Sequence, residues 1–202
     1  MRTLLSGIII TSCAFICWNC DNKKVVTDQT TTFTRIDSLT DYYLALQDSM
    51  LQSWNIMIYD DNQKIKSMHN LLHELMVSSP ERSEEFAAYE QRLDQLVRLR
   101  YTQKTMANTD VVEEYDFASN SLVTELLSLA ESQPQFNYNT TLQKLADEIQ
   151  LADQRVNNYR EEYDAIVATY NRFLEKYRAD IKDIDTHSSL EKRPMFQMVS
   201  DE

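Results

Sequence analysis

The sequence predicts an all-α fold: an antiparallel, up-and-down four-helix bundle with long first and fourth helices, preceded by an N-terminal signal or anchor segment. The chain of 202 residues has one glycine, Gly7, and three prolines, at positions 80, 134 and 194, so few positions can break a helix. Apolar residues recur at spacings of three and four along four long stretches. Only short breaks separate these stretches, and short connections make sequential helices run antiparallel.

The first helix is expected over residues 36–78. Its apolar stripe runs without a proline or glycine up to Pro80, at positions that include Leu46, Met50, Trp54, Met57, Ile65, Met68, Leu72 and Leu75. At 1.5 Å per residue this helix would be about 60 Å long. Ser79 and Pro80 then predict the start of the second helix, with Ser79 as the N-cap. The second helix should continue to about Ala107.

A break at Asn108 and Thr109 precedes the third helix, whose first turn carries Asp110 and Glu113, as the helix dipole favours. Its stripe consists of Val111, Val112, Tyr115, Ala118, Leu122, Leu126 and Leu129.

The next loop contains Pro134 and the asparagine-rich residues 137–139, after which Thr140 and Gln143 predict a capping box. The fourth helix has the most regular pattern in the chain. Five heptads of apolar and aromatic positions follow without a slip: Leu142, Leu145, Ile149, Ala152, Val156, Tyr159, Tyr163, Ile166, Tyr170, Phe173 and Tyr177.

The N-terminal segment indicates the compartment. Residues 1–20 combine Arg2 with an uncharged apolar run from Leu4 to Trp18, which is typical of a lipoprotein signal or membrane anchor. A polar linker over residues 21–35, a helical bundle over 36–184 and a C-terminal tail over 185–202 should follow. The body is expected to lie outside the cytoplasm, tethered to a membrane at its N-terminus.

All three cysteines lie in the N-terminal segment, so the body cannot form disulfides. Cys13 follows a small-residue box that suits lipidation. Cys20 lies at a more usual distance from the start and is followed by polar residues, which makes it the preferred candidate. An uncleaved anchor, and cleavage to a free protein, remain alternatives.

The charge and glycine content exclude several functions. The net charge is −12, with 20 basic against 32 acidic residues, so nucleic acid is not an expected partner. A body without glycine has no P-loop, dinucleotide fingerprint or nucleophile elbow. We expect no enzyme activity and no cofactor.

Two histidines, His69 and His73, lie four residues apart and could share a metal ion. The segment between them lacks the glutamate of a metalloprotease helix, and the remaining histidine, His187, lies in the tail. Surface histidines are therefore expected, and no metal site.

Two neighbouring carboxylates, Asp60 and Asp61, fall near the apolar stripe of the first helix. Arg100 on the second helix, and Arg155 or Arg160 on the fourth, are expected to pair with them across the bundle. Such pairs set the register of helices more than they stabilise them.

The second half of the fourth helix is rich in tyrosine. Phenols at Tyr159, Tyr163, Tyr170 and Tyr177 would either pack at a partly wet end of the bundle or line an interaction surface for a partner helix or a glycan. Packing is the simpler interpretation.

Three stretches together resemble the LemA family of bacterial envelope proteins. The first contains Ser53, Trp54, Asp61, Lys64, Asn70 and Leu71, and the second is Leu126–Pro134. The third contains Leu145, Glu148, Ile149, Arg155, Val156, Arg160, Tyr163, Asp164, Val167, Tyr170 and Asn171. The basic and aromatic tail, Lys192–Phe196, is similar as well.

The sequence departs from the family pattern in three places. Met68 and His69 replace a proline of the first helix, Asp164 replaces an asparagine, and the stretch after the fourth helix lacks the usual Phe-Pro and glycines. The resemblance implies an N-terminal anchor, an extracytoplasmic helical bundle and no agreed enzymatic activity.

Two functions remain. The protein is either a tethered scaffold or interaction module, with another envelope protein as partner, or a small-molecule or glycan binder that uses the tyrosine-rich end. A binder should have a concave pocket of roughly 300 Å³ or more with convergent polar groups. A scaffold should have an exposed apolar or aromatic strip.

Overall fold

A computed structural model of the protein describes residues 34–184 and 190–196, apart from the side chains of 183 and 184. Within them the chain forms four α-helices: α1 (Arg35–Ser78), α2 (Ser83–Leu99), α3 (Thr109–Glu131) and α4 (Thr140–Ile184). No residue of this described part is in a β-strand, which confirms the all-α prediction. The predicted anchor, its cysteines and most of the predicted linker lie outside the described residues.

Helix α1 begins one residue before the predicted start, because Thr34 caps it. The Thr34 side chain accepts a hydrogen bond from the Asp37 backbone N–H, and the Asp37 carboxylate accepts one from the Thr34 backbone N–H, at 3.2 and 2.7 Å. This reciprocal capping box satisfies two N–H groups that the helix itself leaves unpaired.

Ser79 stands at the N-cap position before Pro80, as predicted, but its side chain makes no capping hydrogen bond. Ser79 is buried, and its hydroxyl donates to Gln133 Oε1 at 3.1 Å instead of capping a helix. Pro80–Arg82 form a single 3₁₀ turn, and α2 starts only at Ser83.

Helix α2 is also shorter than predicted: it ends at Leu99 and not near Ala107. The chain leaves the helix at Arg100, which has extended backbone angles, and the next side chain, Tyr101, turns into the core. A second 3₁₀ turn at Thr105–Ala107 leads to α3.

Asparagines cap the last two helices. Asn108 accepts a hydrogen bond from the Asp110 N–H, as the predicted break before α3 requires. The predicted capping box of Thr140 and Gln143 is wrong, because Asn139 Oδ1 caps α4 by accepting from Thr141 and Leu142. Asparagine is as good an N-cap as serine or threonine.

Helices α1 and α4 are antiparallel neighbours along their length. Going forward along α1, the partners move backward along α4, through the pairs Tyr42–Phe173, Trp54–Tyr163, Asp60–Arg155 and Ser67–Glu148. The heptad positions predicted for α4 are all buried or partly buried. The helix is interrupted at Tyr177, whose backbone angles are not helical.

Helices α2 and α3 cover only one end of this long pair. With 17 and 23 residues against 44 in α1, they span about 26 and 35 Å of a length of about 66 Å. Helix α1 and its C-cap, Ser79, make hydrogen bonds and ion pairs with residues 83–133. The α1 residues that make them all lie between Asp61 and Ser79. We call this four-helix end the base.

The other end is a two-helix arm, formed by residues 35–59 of α1 and 163–182 of α4. Its contacts include Arg35–Asp180 and the rings of Tyr43, Tyr170 and Phe173. Tail residues 190–196 lie beside it. None of the four helices in the described part combines the length and the hydrophobicity that a membrane-spanning segment needs.

Candidate functional site

A buried ionic cluster lies at the end of the base that adjoins the arm. The Asp61 carboxylate is 2.8 Å from Arg100 Nη2 and 3.6 Å from Lys64 Nζ, and it accepts the Tyr115 hydroxyl at 2.7 Å. These side chains come from α1, α3 and the residue after α2. The cluster therefore fixes how three elements meet.

Lys64 is the most buried charge of the cluster, with 3% of its side chain exposed. Its ammonium group donates to Ser119 Oγ at 2.9 Å and to Asp153 Oδ1 at 3.2 Å, so it joins α1 to α3 and α4. A buried charge is tolerated only when it is paired and hydrogen-bonded, as this one is.

The phenol of Tyr115 acts as a donor in this cluster. Burial, together with the neighbouring charge of Asp61, raises the pKa of Tyr115 far above its usual value. The hydroxyl therefore keeps its proton at neutral pH and satisfies the carboxylate.

The sequence-based prediction that Arg100, and either Arg155 or Arg160, pair with the two α1 carboxylates is confirmed, with Arg155 as the α4 partner. Asp61 pairs with Arg100, and Asp60 pairs with Arg155 at 2.6 Å. Arg160 instead makes two hydrogen bonds to Asp116 of α3, at 2.6 and 2.7 Å. Helical periodicity could not decide between Arg155 and Arg160 as the partner of Asp60, because carboxylates on two different helices lie within reach of the arginines of α4.

Arg160 also organises the junction between base and arm. Its Nη2 donates to the Tyr101 hydroxyl at 3.1 Å, and its guanidinium lies over the Phe196 ring at 4.9 Å. Burial alone would lower the pKa of Arg160, but the bonds to Asp116 and Tyr101 outweigh it and raise the pKa. The side chain thus stays charged and connects α3, α4 and the tail.

The tail is docked by residues that carry the family resemblance. The Phe196 ring stacks on Trp54 with an interplanar angle of 9° and meets Tyr163 edge-on at 5.8 Å. Its backbone N–H donates to Asp164 Oδ1 at 2.9 Å. The Asn171 side chain brackets the Arg193 backbone, donating to its carbonyl at 2.9 Å and accepting from its N–H at 2.8 Å.

The four tyrosines do not form one exposed surface. Tyr163 and Tyr170 are only 2% and 1% exposed, and they pack against Trp54 and Tyr43. Burial raises the pKa of both phenols. The interaction surface predicted at these rings therefore reduces to Tyr159 and Tyr177, which are partly exposed.

The two histidines of α1 do not act together. His69 Nδ1 lies 2.7 Å from Glu90 Oε2 of α2, whereas His73 is exposed. Among the described residues no group of three or more His, Cys, Asp or Glu side chains is arranged to hold a metal ion.

A polar groove of about 380 Å³ opens between α3 and α4 of the base. Its lining includes two cations with their carboxylate partners, and amide and hydroxyl groups at the rim: Lys64, Arg160, Asp116, Asp153, Ser119, Asn120, Thr124, Gln154 and Asn157. This is the concave site that a binder requires, but it lies away from the tyrosines for which binding was predicted. Nothing in the helical periodicity marks it, because its rim consists of ordinary solvent-facing residues.

The arm carries an apolar surface on the side of α1 that faces away from α4. Leu44, Leu51 and Tyr59 are 50, 54 and 65% exposed, and Asp48 and Asn55 lie between them. Steps of three and four residues place all five on one helix face. We call these five residues the α1 strip. Sequence analysis missed it, because the stripe through Leu46, Met50 and Trp54 accounts for the amphipathic pattern of α1.

A protein-family model matches most of the chain. The model of the LemA family matches residues 62–202, which include the end of α1, all of α2 to α4, and the tail. No curated protein and no solved structure matches the chain.

Proposed function

This chain belongs to the LemA family of helical proteins, and on that premise we propose that it is a membrane-tethered, extracytoplasmic interaction module of the bacterial envelope. The α1 strip is its docking surface for a helix of another envelope protein. The role is non-catalytic.

One observation carries this proposal: the α1 strip leaves large apolar side chains in water. Burying the exposed halves of Leu44, Leu51 and Tyr59 would contribute roughly 1 kcal/mol each. Exposed apolar side chains spaced along one helix face are what a helix-in-groove or helix-pair partner recognises.

The interior supports a structural role for the family residues. Lys64, Arg160 and Asn171 are all engaged with side chains or backbone of other elements. They hold the base together and dock the tail, which leaves the exterior of the arm as the surface for recognition.

The tether belongs to the same proposal. Cys20, or in its place Cys13, would carry the lipid, with an uncleaved anchor as the alternative. Metabolic labelling with a fatty-acid analogue should mark the intact chain, and the Cys20→Ser variant should lose the label while Cys13→Ser keeps it. The opposite result would assign the lipid to Cys13. If the intact chain took up no label, the uncleaved membrane anchor would replace lipidation in the proposal.

Photo-crosslinking in the envelope tests the docking surface. A photoreactive residue at position 51 of the full chain should give an adduct of higher mass. The same residue at position 151 should give none, since Leu151 is exposed to the same degree, 53%, but lies on α4. Equal yields from the two positions would refute the proposal.

The polar groove favours a second function, the binding of a small hydroxyl-rich ligand such as a glycan. Its volume of about 380 Å³ and its amide-lined rim fit a neutral polar molecule. A glycan panel would test this. A specific hit that Asn157→Leu abolishes and Leu51→Glu leaves intact would support the groove as the functional site.

A further inference from the structure

A small pocket lies where the tail meets the arm, apart from the polar groove. Its volume is about 180 Å³. The described residues that line it come from α1, the loop after α2, α4 and the tail: Gln47, Met50, Leu51, Gln103, Tyr163, Arg193 and Pro194. We call it the tail pocket. It shares Leu51 with the α1 strip and no lining residue with the groove.

The charge in the tail pocket is positive. Arg193 is the only charged side chain among the described residues that line it. None of the ion pairs in the described part of the chain involves Arg193, although acidic residues outnumber basic ones by 32 to 20 in the whole sequence. A guanidinium that has no carboxylate partner can bind an oxyanion through two parallel hydrogen bonds.

The Tyr163 hydroxyl is a second donor at this site. The Tyr163 side chain is buried, and its hydroxyl makes no hydrogen bond to a described residue, yet it is not one of the fully enclosed polar atoms without a partner. The hydroxyl is therefore open to the pocket that the residue lines. Burial raises the pKa of this phenol, and the positive charge of Arg193 opposes that rise. Side-chain amides of Gln47 and Gln103 supply further N–H donors.

An apolar wall completes the tail pocket. It consists of Met50 and Leu51 of α1 and Pro194 of the tail. Pockets for drug-sized ligands have volumes of roughly 300–1,000 Å³, so a pocket of about 180 Å³ suits a smaller molecule. A small inorganic anion would use the donors and leave the apolar wall in contact with water.

From this arrangement we infer that the tail pocket binds a carboxylate that carries a short apolar group, from a free organic acid or from the end of a peptide. Arg193 and Tyr163 hold the carboxylate, and the apolar wall covers the attached group. The wall and the donors come partly from the tail and partly from α1 and α4, so a bound carboxylate fastens the tail to the arm. This inference goes beyond the proposed function, because such a ligand needs no partner at the α1 strip.

Hydrogen exchange of the tail measures this binding. The full chain in mild detergent is titrated with butyrate, and exchange of residues 190–196 is followed by mass spectrometry. Butyrate should slow this exchange in a saturable way, because the bound state favours the docked tail. Butyramide has a similar shape without the charge and should bind at least about tenfold more weakly. Equal binding of the two compounds, or no saturable effect of butyrate, would overturn the inference.

Three variants test the residues assigned to the site. Arg193→Gln changes an exposed tail residue and should raise the half-saturating butyrate concentration at least about tenfold. Lys192→Gln is the control and should leave it unchanged, because Lys192 pairs with Glu175 and does not line the pocket. Tyr163→Phe keeps the ring and should raise it about threefold. Wild-type affinity in Arg193→Gln or in Tyr163→Phe would contradict the assignment.

Peptides and phosphate separate the sources of the carboxylate. Acetyl-trialanine with a free carboxyl end should bind more tightly than butyrate if the natural ligand is a peptide end, and more weakly if it is a free acid. The same peptide with an amidated end should bind at least about tenfold more weakly than its acid. An amidated peptide that binds as tightly as the acid, or inorganic phosphate that binds as tightly as butyrate, would overturn the inference.

Discussion

At the scale of single residues, several positions of the LemA-like sequence pattern carry polar side chains that hydrogen-bond to other parts of the fold. Asn171 binds both the N–H and the carbonyl of Arg193, which an amide can do because it has a donor and an acceptor. The planar guanidinium of Arg160 donates two hydrogen bonds to Asp116 along its edge, and its flat face lies over the Phe196 ring. These roles need a particular chemical group in each case, and hydrophobicity alone would not specify them.

Lys64 illustrates the cost of such a position. Lys64→Ala leaves Asp61 short of a cation and Ser119 of a donor, and should lower the free energy of unfolding by about 3 kcal/mol. Lys144→Ala is the control, since Lys144 is 77% exposed in its pair with Glu148, and should change it by less than about 0.5 kcal/mol. Chemical denaturation of both variants measures the difference, and equal losses would contradict the buried role.

At the scale of elements, α2 and α3 are joined by a surface ion pair. Arg92 donates to both oxygens of Glu125, at 2.5 and 2.7 Å, and Ser121 adds a third hydrogen bond. The bonds from Arg92 lower the pKa of Glu125 to about 2. The pair is more than a third exposed, so solvent screens part of its contribution.

This pair predicts a pH dependence. The pKa of Glu125 is lower in the folded state than the ordinary 4.5, so the folded state binds fewer protons. Its stabilisation is complete above pH 4.5 and is lost as the pH falls towards 2. Glu125→Gln should therefore flatten the fall in melting temperature over this range, and Glu113→Gln on the same helix should not. The same acid limb in wild type and Glu125→Gln would contradict the assignment.

The tail is a second element whose position depends on few contacts. Phe196→Ala removes the contacts of the Phe196 ring with Trp54 and Tyr163. Hydrogen exchange of tail residues 190–196 should become at least about tenfold faster, as expected when the docked tail loses about 1.4 kcal/mol or more of stability. Lys192→Ala should have little effect, because the Lys192–Glu175 pair is largely exposed. Unchanged exchange in Phe196→Ala would mean that the tail is held elsewhere.

Sequence patterns predicted the elements better than their ends. The α4 heptads and the missing helix breakers were enough to predict four helices, since burial follows directly from period. The predicted start of α2 is earlier than the observed one, because the Ser79 hydroxyl does not cap the helix and instead donates to Gln133, which lies 54 residues further along the chain. The predicted end of α2, near Ala107, is wrong because the chain leaves the helix at Arg100 and buries Tyr101 in the core. Tertiary contacts determine both ends of α2, and the local sequence does not show which contacts a residue makes in the folded protein.

At the scale of the whole molecule, unequal helix lengths create the proposed docking surface. Short α2 and α3 enclose the base, so α1 and α4 continue as an arm in which neither α2 nor α3 covers the α1 strip. Helical periodicity predicted which α1 side chains face α4. It could not show that α2 stops at Leu99, and therefore could not distinguish the α1 strip from side chains that a third helix would cover.

We propose that the protein docks through the α1 strip, and not through the tyrosines of α4 or the polar groove. The most direct test compares the size of the native complex formed by the full chain, extracted from membranes in mild detergent, in Leu51→Glu and Leu151→Glu. The two leucines are equally exposed, at 54 and 53%, so both variants should fold. We predict that Leu51→Glu migrates as a monomer while Leu151→Glu keeps the wild-type complex. A complex that survives Leu51→Glu unchanged would contradict the claim.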